Sequence, residues 1–485
     1  MQASELETRR TRPAFILLAV GISTYALLQS LVAPALPLLA SDLHTGQDTV
    51  TWVMTAYLLA AAVFTPILGR VGDASGKVKV LMFVLASQAA GAVLAALAPS
   101  IGVVIAARAI QGLGAGIIPL GFGIVRDEFP RERVATTIGF LSSLMAGGSG
   151  LGLVAAGPVA DTFGYRWLFW IPAILSAIAA AGIRAFVPES AVRSPGRINY
   201  AAAVILSAWL VLLIMAVSRA QVWGWVSVQV VGMLVGAAIF CAAWVVVELR
   251  AHQPLIDMRM MCLPAVWTTN VAALLVGMIM FGTFTFLPRY IQAPVSTGYG
   301  FGASMAMAGL VLLPMQLSMF VLGAATGVLS ARFSARLVLV AGAVMEVPGC
   351  LIMAVAPASY WLLILATVLL GSGVGLAYSS MSSIVVNAVP VSQTSVATGM
   401  NTNIRTIGGS IGTAAMASVV TSRVLPSGLP KIDGYTVSFL VLAIVGLLAI
   451  IAALSIPRPT SRRAPVPCSA LADQTPIATA GTVME

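Results

Sequence analysis

The chain has 485 residues, of which 59% are hydrophobic and only 9% are charged, and its mean hydropathy is +1.00. Soluble domains carry about 25% charged residues, so this composition excludes a soluble enzyme and also a disordered chain. The net charge of +10 fits the basic cytoplasmic loops of a protein that crosses a membrane many times, and no nucleic-acid partner is expected.

Fourteen apolar stretches of the length needed to cross a bilayer, about 20 residues, follow one another along the chain. They are predicted at residues 14–38, 50–68, 78–98, 101–123, 134–157, 167–187, 201–217, 227–247, 266–287, 303–325, 337–356, 360–380, 396–420 and 435–456. We therefore expect an all-α integral membrane protein with 14 transmembrane helices. The thirteenth stretch is the most polar, because it is rich in Thr, Asn and Gly.

The basic residues are distributed unevenly over the predicted loops. An even number of helices puts both termini on one side, and that side holds 19 of the 26 Lys and Arg residues, against five on the other side. Because cytoplasmic loops are enriched in Lys and Arg, we expect both termini in the cytoplasm and the chain in the cell membrane. The excess of Arg over Lys, with abundant Ala and Gly, indicates a bacterial source.

An internal repeat divides the chain. Residues 69–77 and 327–335 are similar at an offset of 258, and Pro130 and Pro390 are 260 residues apart. Three glycines of the fourth helix recur in the twelfth at an offset of 259: Gly112, Gly114 and Gly116 match Gly371, Gly373 and Gly375. Parallel six-helix repeats of this kind build one class of transporter. The predicted units are a tail at 1–13, a bundle at 14–187, two linking helices within 188–259, a second bundle at 260–456 and a disordered tail at 457–485.

The loop after the second helix, residues 69–79, contains a glycine-rich turn with acidic and basic residues. Such a turn brings Asp73 and its neighbouring cations close to helix ends, where they can latch the cytoplasmic side shut. The candidate gate residues are Gly69, Asp73, Gly76, Lys77 and Arg126, with Arg126 or Arg133 as the predicted partner in the next cytoplasmic loop. A solvated basic loop with no gating role is the alternative.

Arg108 and Gln111 lie inside the fourth predicted helix. A charged residue inside a bilayer is costly and normally faces a cavity or a partner, so both are candidates for a transport site. The alternative is that Arg108 extends its head group to the membrane surface.

The fifth helix carries glycines and a proline at its outer half, namely Gly148, Gly152, Gly157 and Pro158. Spaced glycines let helices approach closely, and a proline permits a bend.

In the thirteenth helix, Asn401 and Arg405 are one turn apart on the same face, where they either line a cavity or hold helix contacts. Further cavity candidates are Gln29, Tyr25 and Tyr57 of the first two helices, although aromatic residues also commonly face lipid.

In combination, the repeat and these motifs resemble the major facilitator superfamily, and most closely its fourteen-span drug:proton antiporter branch. Gly69, Asp73, Gly76 and Lys77 fit the family's G-x-L-x-D-R-x-G-R loop, whereas Ala74 replaces an expected basic residue. Residues 108–116 match the family's R-x-x-Q-G-x-G stretch, and residues 148–158 resemble its antiporter motif, without the final Gly-Gly.

This resemblance implies a secondary transporter that exports drugs or a self-produced antibiotic by proton antiport and alternating access. It also implies a proton-transfer role for Arg108. An importer or facilitator of a small metabolite on the same fold stays open. The chain shows no motif of an enzyme, and no cofactor or metal is expected, so the predicted partners are a small-molecule substrate, protons and the lipid bilayer.

One departure from the resemblance concerns the carboxylate that proton coupling needs. Fourteen-span drug antiporters carry an acidic residue in the first helix, where this chain has Gln29. The remaining candidates are Glu346, in the middle of the eleventh helix, and Asp161, near the outer end of the fifth. Apolar surroundings favour the protonated form of a carboxyl group, which suits Glu346 for proton exchange, although a neutral structural role is the alternative.

Overall fold

The structure, a computed structural model, describes residues 2–190, 199–355, 359–422 and 429–458. Within them the chain forms fourteen long helices, which are numbered here in chain order. They are α1 Gln2–Asp42, α2 Trp52–Ser75, α3 Lys77–Ala96, α4 Ile101–Glu128, α5 Arg131–Phe163, α6 Trp167–Phe186, α7 Tyr200–Trp223, α8 Val228–Arg250, α9 Pro264–Gln292, α10 Met305–Phe333, α11 Ala335–Val355, α12 Tyr360–Ala388, α13 Thr394–Thr421 and α14 Ile432–Ser455. The predicted disordered tail lies outside the described residues from position 459 onward.

Thirteen of these helices are long and apolar enough to cross a membrane, which confirms the all-α membrane fold class. The exception is α13, whose polar side chains Asn401, Asn403 and Arg405 are buried. Because α13 packs inside the protein against α9, α2 and α4, its side chains contact other helices and need not be apolar. A fourteenth span therefore stays a prediction that rests on α13.

The two bundles use the same glycine contacts, as the internal repeat predicts. Gly112 of α4 lies against the backbone carbonyl of Tyr57 in α2, and Gly371 of α12 lies against that of Met315 in α10. The two glycines are 259 residues apart and their two partners 258. A side chain at either glycine would push the helices apart, so close packing fixes this residue type.

The seam between the bundles is formed by two helix pairs. α5 packs along α10, and α2 packs against α13. The two linking helices, α7 and α8, pack on each other, with the rings of Trp209 and Trp244 6.1 Å apart. α7 also contacts α2 and α13. Five of the candidate functional residues lie on α2 and α13 themselves: Tyr57, Gly69, Asp73, Asn401 and Arg405.

Candidate functional site

At the end of the protein where α2 meets α3, Asp73 connects the two bundles. Its carboxylate accepts a hydrogen bond of 3.1 Å from the backbone N–H of Val396, in the first turn of α13. A carboxylate at this position satisfies a free N–H and interacts favourably with the positive end of the helix dipole. Asp73 is buried, so this contact is protected from solvent.

Lys77 is fully buried between two carboxylates of the first bundle. Its Nζ lies 2.6 Å from Asp127 and 3.5 Å from Asp73. Lys77, one turn from Asp73 in the same segment, therefore pairs with that carboxylate. Arg126 instead donates a hydrogen bond of 2.9 Å to Thr394 of α13. We call Asp73, Lys77, Arg126, Asp127, Thr394 and Val396 the latch.

Two glycines of the predicted gate allow this geometry. A Cβ at Gly69 would lie 2.8 Å from the carbonyl oxygen of Ser395, so only glycine lets α2 approach the start of α13 this closely. Gly76 has φ +117°, a conformation that glycine adopts readily. At that turn the carboxylate of Glu189 accepts hydrogen bonds from the N–H groups of Val78 and Lys79, at 3.0 and 2.9 Å.

Replacing Lys77 with methionine is expected to destabilise the protein. The substitution leaves Asp73 and Asp127 buried together without their shared cation, and removing one partner of a buried ion pair costs about 3 kcal/mol or more. The apparent melting temperature of Lys77→Met in detergent should fall by several degrees. That of Lys77→Arg should stay close to the melting temperature of the unmodified protein. An unchanged melting temperature for Lys77→Met would contradict the buried pairing.

Deeper in the seam, Arg108 of α4 points into the protein and not toward the membrane surface. Its side chain is fully buried and lies 4.1 Å above the ring of Tyr57. Its guanidinium donates to Gln111 at 2.8 Å and to the carbonyl of Val53 at 3.3 Å. This placement favours the site interpretation of Arg108 over a surface-directed one.

Arg405 of α13 mirrors this arrangement from the second bundle. It is buried and lies 3.7 Å above the ring of Tyr378 in α12. Tyr25 of α1 lies within electrostatic range of both arginines and of both other tyrosines. We call Tyr25, Tyr57, Arg108, Tyr378 and Arg405 the central cluster.

The other cavity candidates lie at different distances from this cluster. Gln111 joins it through its hydrogen bond to Arg108, and Gln29 is partly buried one turn beyond Tyr25 in α1. Asn401 instead donates a hydrogen bond of 2.9 Å to Asn270. Of the two predicted residues of α13, Asn401 thus holds the contact with α9, and Arg405 reaches the cluster.

The predicted antiporter-motif helix packs against both bundles. Gly148 and Gly152 of α5 lie against the backbone of α1, near the carbonyls of Ser23 and Leu27. A Cβ at Gly157 would contact nothing within 4 Å, and Pro158 is exposed. Close packing therefore explains the first two glycines, and nothing in the structure explains Gly157.

The two candidate carboxylates are placed apart from the central cluster. Asp161 is exposed near the end of α5. Glu346 is fully buried where α11 packs on Gly373 of α12, and neither of its oxygens has a hydrogen-bond partner among the described residues. Its place corresponds to that of Gln88 in the first bundle, 258 residues earlier.

Several residues of the latch and the central cluster were not predicted from the sequence. Asp127, Thr394 and Val396 of the latch were not singled out, and Tyr378 was not connected to Arg405. The acid Asp127 directly follows Arg126 at the end of α4, which was an available signal. The contact between Asp73 and Val396 spans 323 residues, and no local pattern indicates it.

Comparison with known proteins identifies the family. The family model described as Major Facilitator Superfamily matches the chain in two overlapping segments, residues 18–413 and 269–472. A solved structure of the proton:xylose symporter XylE has a TM-score of 0.67 at 11% identity, covering 93% of this chain and 97% of that one, which shows the fold.

Three relatives illustrate the range of similar transporters. An uncharacterized MFS-type transporter of Mycobacterium tuberculosis is 30% identical over 84% of this chain, which spans only 59% of that relative's length. A tetracenomycin C resistance and export protein of Streptomyces glaucescens is 28% identical over 86% of this chain and 77% of its own. A uridine/deoxyuridine transporter of Lactococcus lactis is 27% identical over 78% of this chain and 79% of its own.

Proposed function

The chain belongs to the major facilitator superfamily, and from this premise we propose that it is a transporter that exports amphipathic small molecules by proton antiport. The observation that carries the proposal is the central cluster, in which charged and aromatic side chains of both bundles meet at a buried seam. Such a site between two repeats is where alternating access exposes a substrate to each side in turn. The similarity to a tetracenomycin export protein supports export of a drug or a self-produced antibiotic.

The latch supplies the second element of alternating access. The excess of basic residues predicts that the α2–α3 loop is cytoplasmic, and in this proposal the latch closes the cytoplasmic end. Opening that end requires breaking the contacts of Asp73 with Val396 and of Arg126 with Thr394. These bonds join the two bundles, and they are therefore remade once in each transport cycle.

Proton coupling is assigned to Arg108 together with a carboxylate, for which Glu346 is the first candidate and Asp161 the second. Glu346 is a buried carboxyl group in a membrane-spanning helix, and ionisable residues at such positions commonly belong to proton pathways. Releasing its proton requires α11 and α12 to separate, so proton exchange is tied to a movement of the second bundle.

Replacing Glu346 with glutamine removes the exchangeable proton and keeps the shape of the side chain. We expect proton-driven efflux to fall at least tenfold, while exchange of substrate down its own gradient continues, because only the coupling group is changed. Both rates are measured in vesicles with and without a pH gradient, and Asp161→Asn is the matched comparison for the second candidate. Unchanged proton-driven efflux in Glu346→Gln removes this residue from the mechanism.

An importer or facilitator of a small metabolite is the alternative, and the similarity to a uridine/deoxyuridine transporter favours it. The direction of flux separates the two functions. An exporter driven by an imposed pH gradient concentrates its substrate in inside-out vesicles, whereas an importer concentrates it in right-side-out vesicles. Accumulation in right-side-out vesicles alone would overturn the proposed export.

A further inference from the structure

The central cluster holds two cations and, among the described residues, no acid. Arg108 and Arg405 are 0% and 3% exposed, and neither forms an ion pair with another described residue. Arg108 donates to neutral acceptors, Gln111 and the carbonyl of Val53. A buried cation without a counter-ion is costly, so two in one cluster indicate a site that receives a negative charge from elsewhere.

Arg405 has unused hydrogen-bonding capacity in this cluster. Its Nη2 lies 3.4 Å from the hydroxyl of Thr402, and its Nη1 has no acceptor among the described residues. A guanidinium presents a planar set of donors that matches a carboxylate or phenolate. The unpaired Nη1 of Arg405 therefore offers a ready donor to an anionic group.

The two arginines are not copies of one ancestral residue. At the repeat offsets of 259 and 260, Arg108 corresponds to Thr367 and Arg405 to Met145. Each bundle thus contributes its own arginine, and each places it above a tyrosine ring. Duplication does not account for this arrangement, whereas a shared anionic ligand does.

We propose that the central cluster binds an aromatic anion, a ring system carrying a carboxylate or phenolate, held between Arg108 and Arg405 and flanked by the tyrosine rings. The inference rests on the proposed function, since it names the substrate class of the same site. It also accounts for Gln29 in α1, because a carboxylate there would repel the substrate. An interior-negative membrane potential drives an anion outward, which assists export.

Binding of two dyes with the same xanthene ring system and opposite charge tests this inference. Fluorescence polarisation against the purified full-length protein gives the affinity for anionic fluorescein and for cationic rhodamine 123. We expect fluorescein to bind at least tenfold more tightly. Arg405→Gln should weaken fluorescein binding at least tenfold and leave rhodamine 123 unchanged or improved.

The control is Arg289→Gln, which removes an exposed arginine 5.4 Å from the ring of Phe286, outside the cluster, and should leave both affinities unchanged. If Arg405→Gln does not fold, Arg405→Lys should still prefer fluorescein, with weaker binding. Equal or tighter binding of rhodamine 123 by the unmodified protein, or no binding of fluorescein, overturns the inference. Neither result overturns export, which is measured separately by the direction of flux.

Discussion

Replacing Arg108 with lysine is expected to lower the transport rate about thirtyfold, although the positive charge is retained. The guanidinium donates to Gln111 and to the carbonyl of Val53 while it lies over the ring of Tyr57. A lysine ammonium is a compact point charge on a flexible stem and cannot make these three contacts together. The lost cation–π contact and hydrogen bond are together worth about 2 kcal/mol.

Transport is measured with purified protein in liposomes, after the folded fraction has been matched by elution volume and melting temperature. Tyr57→Phe is the matched control, because it keeps the ring beneath Arg108 and removes only the hydroxyl, and it should change the rate far less. A folded Arg108→Lys variant that transports at the original rate would show that the geometry of the guanidinium does not matter.

Replacing Gly69 with valine is expected to lower the transport rate by a factor of about ten or more, because the latch can no longer close. A Cβ at this position would lie 2.8 Å from the backbone oxygen of Ser395, closer than real Cβ contacts, and neither backbone can yield without moving a helix. The displaced α13 would also lose the hydrogen bond from Val396 to Asp73. A variant with an open latch cannot complete the cycle.

Hydrogen exchange at the start of α13 provides the structural readout. In Gly69→Val the amide of Val396 should exchange faster, since its acceptor is lost. The matched control is Gly232→Val in the linking helix α8, where an added Cβ meets nothing within 4 Å, and this variant should behave like the unmodified protein. Retained transport and protection at Val396 in Gly69→Val would mean that the close approach is not required.

Most of the fold followed from the sequence because membrane helices have a simple signature. Long apolar stretches located the helices, and the constant repeat offset predicted the shared packing of Gly112 and Gly371, which the structure contains. α13 was the most polar of the predicted helices for a physical reason. Its side chains contact other helices rather than lipid, so its sequence carries little of the apolar signal.

The site was predicted only in part. Arg108 stood out because charge is rare in apolar surroundings, and Asp73 because it lies in a glycine-rich turn with basic neighbours. Both are buried at the seam. Their partners depend on contacts between distant segments: Asp73 bonds to Val396, and Arg405 pairs with Tyr378. Whether a polar side chain of α13 faces a neighbouring helix or the cluster is decided by helix rotation, which one sequence does not record.

Lumenal pH in inside-out vesicles tests most directly the proposal that this protein exchanges protons for an exported substrate. A pH gradient is imposed, a panel of amphipathic drugs and natural antibiotics is added, and lumenal pH is followed over time. We expect at least one compound to release lumenal protons, with a response at least tenfold smaller in Arg108→Lys. No proton release with any compound, while a substrate still moves down its own gradient, would contradict antiport.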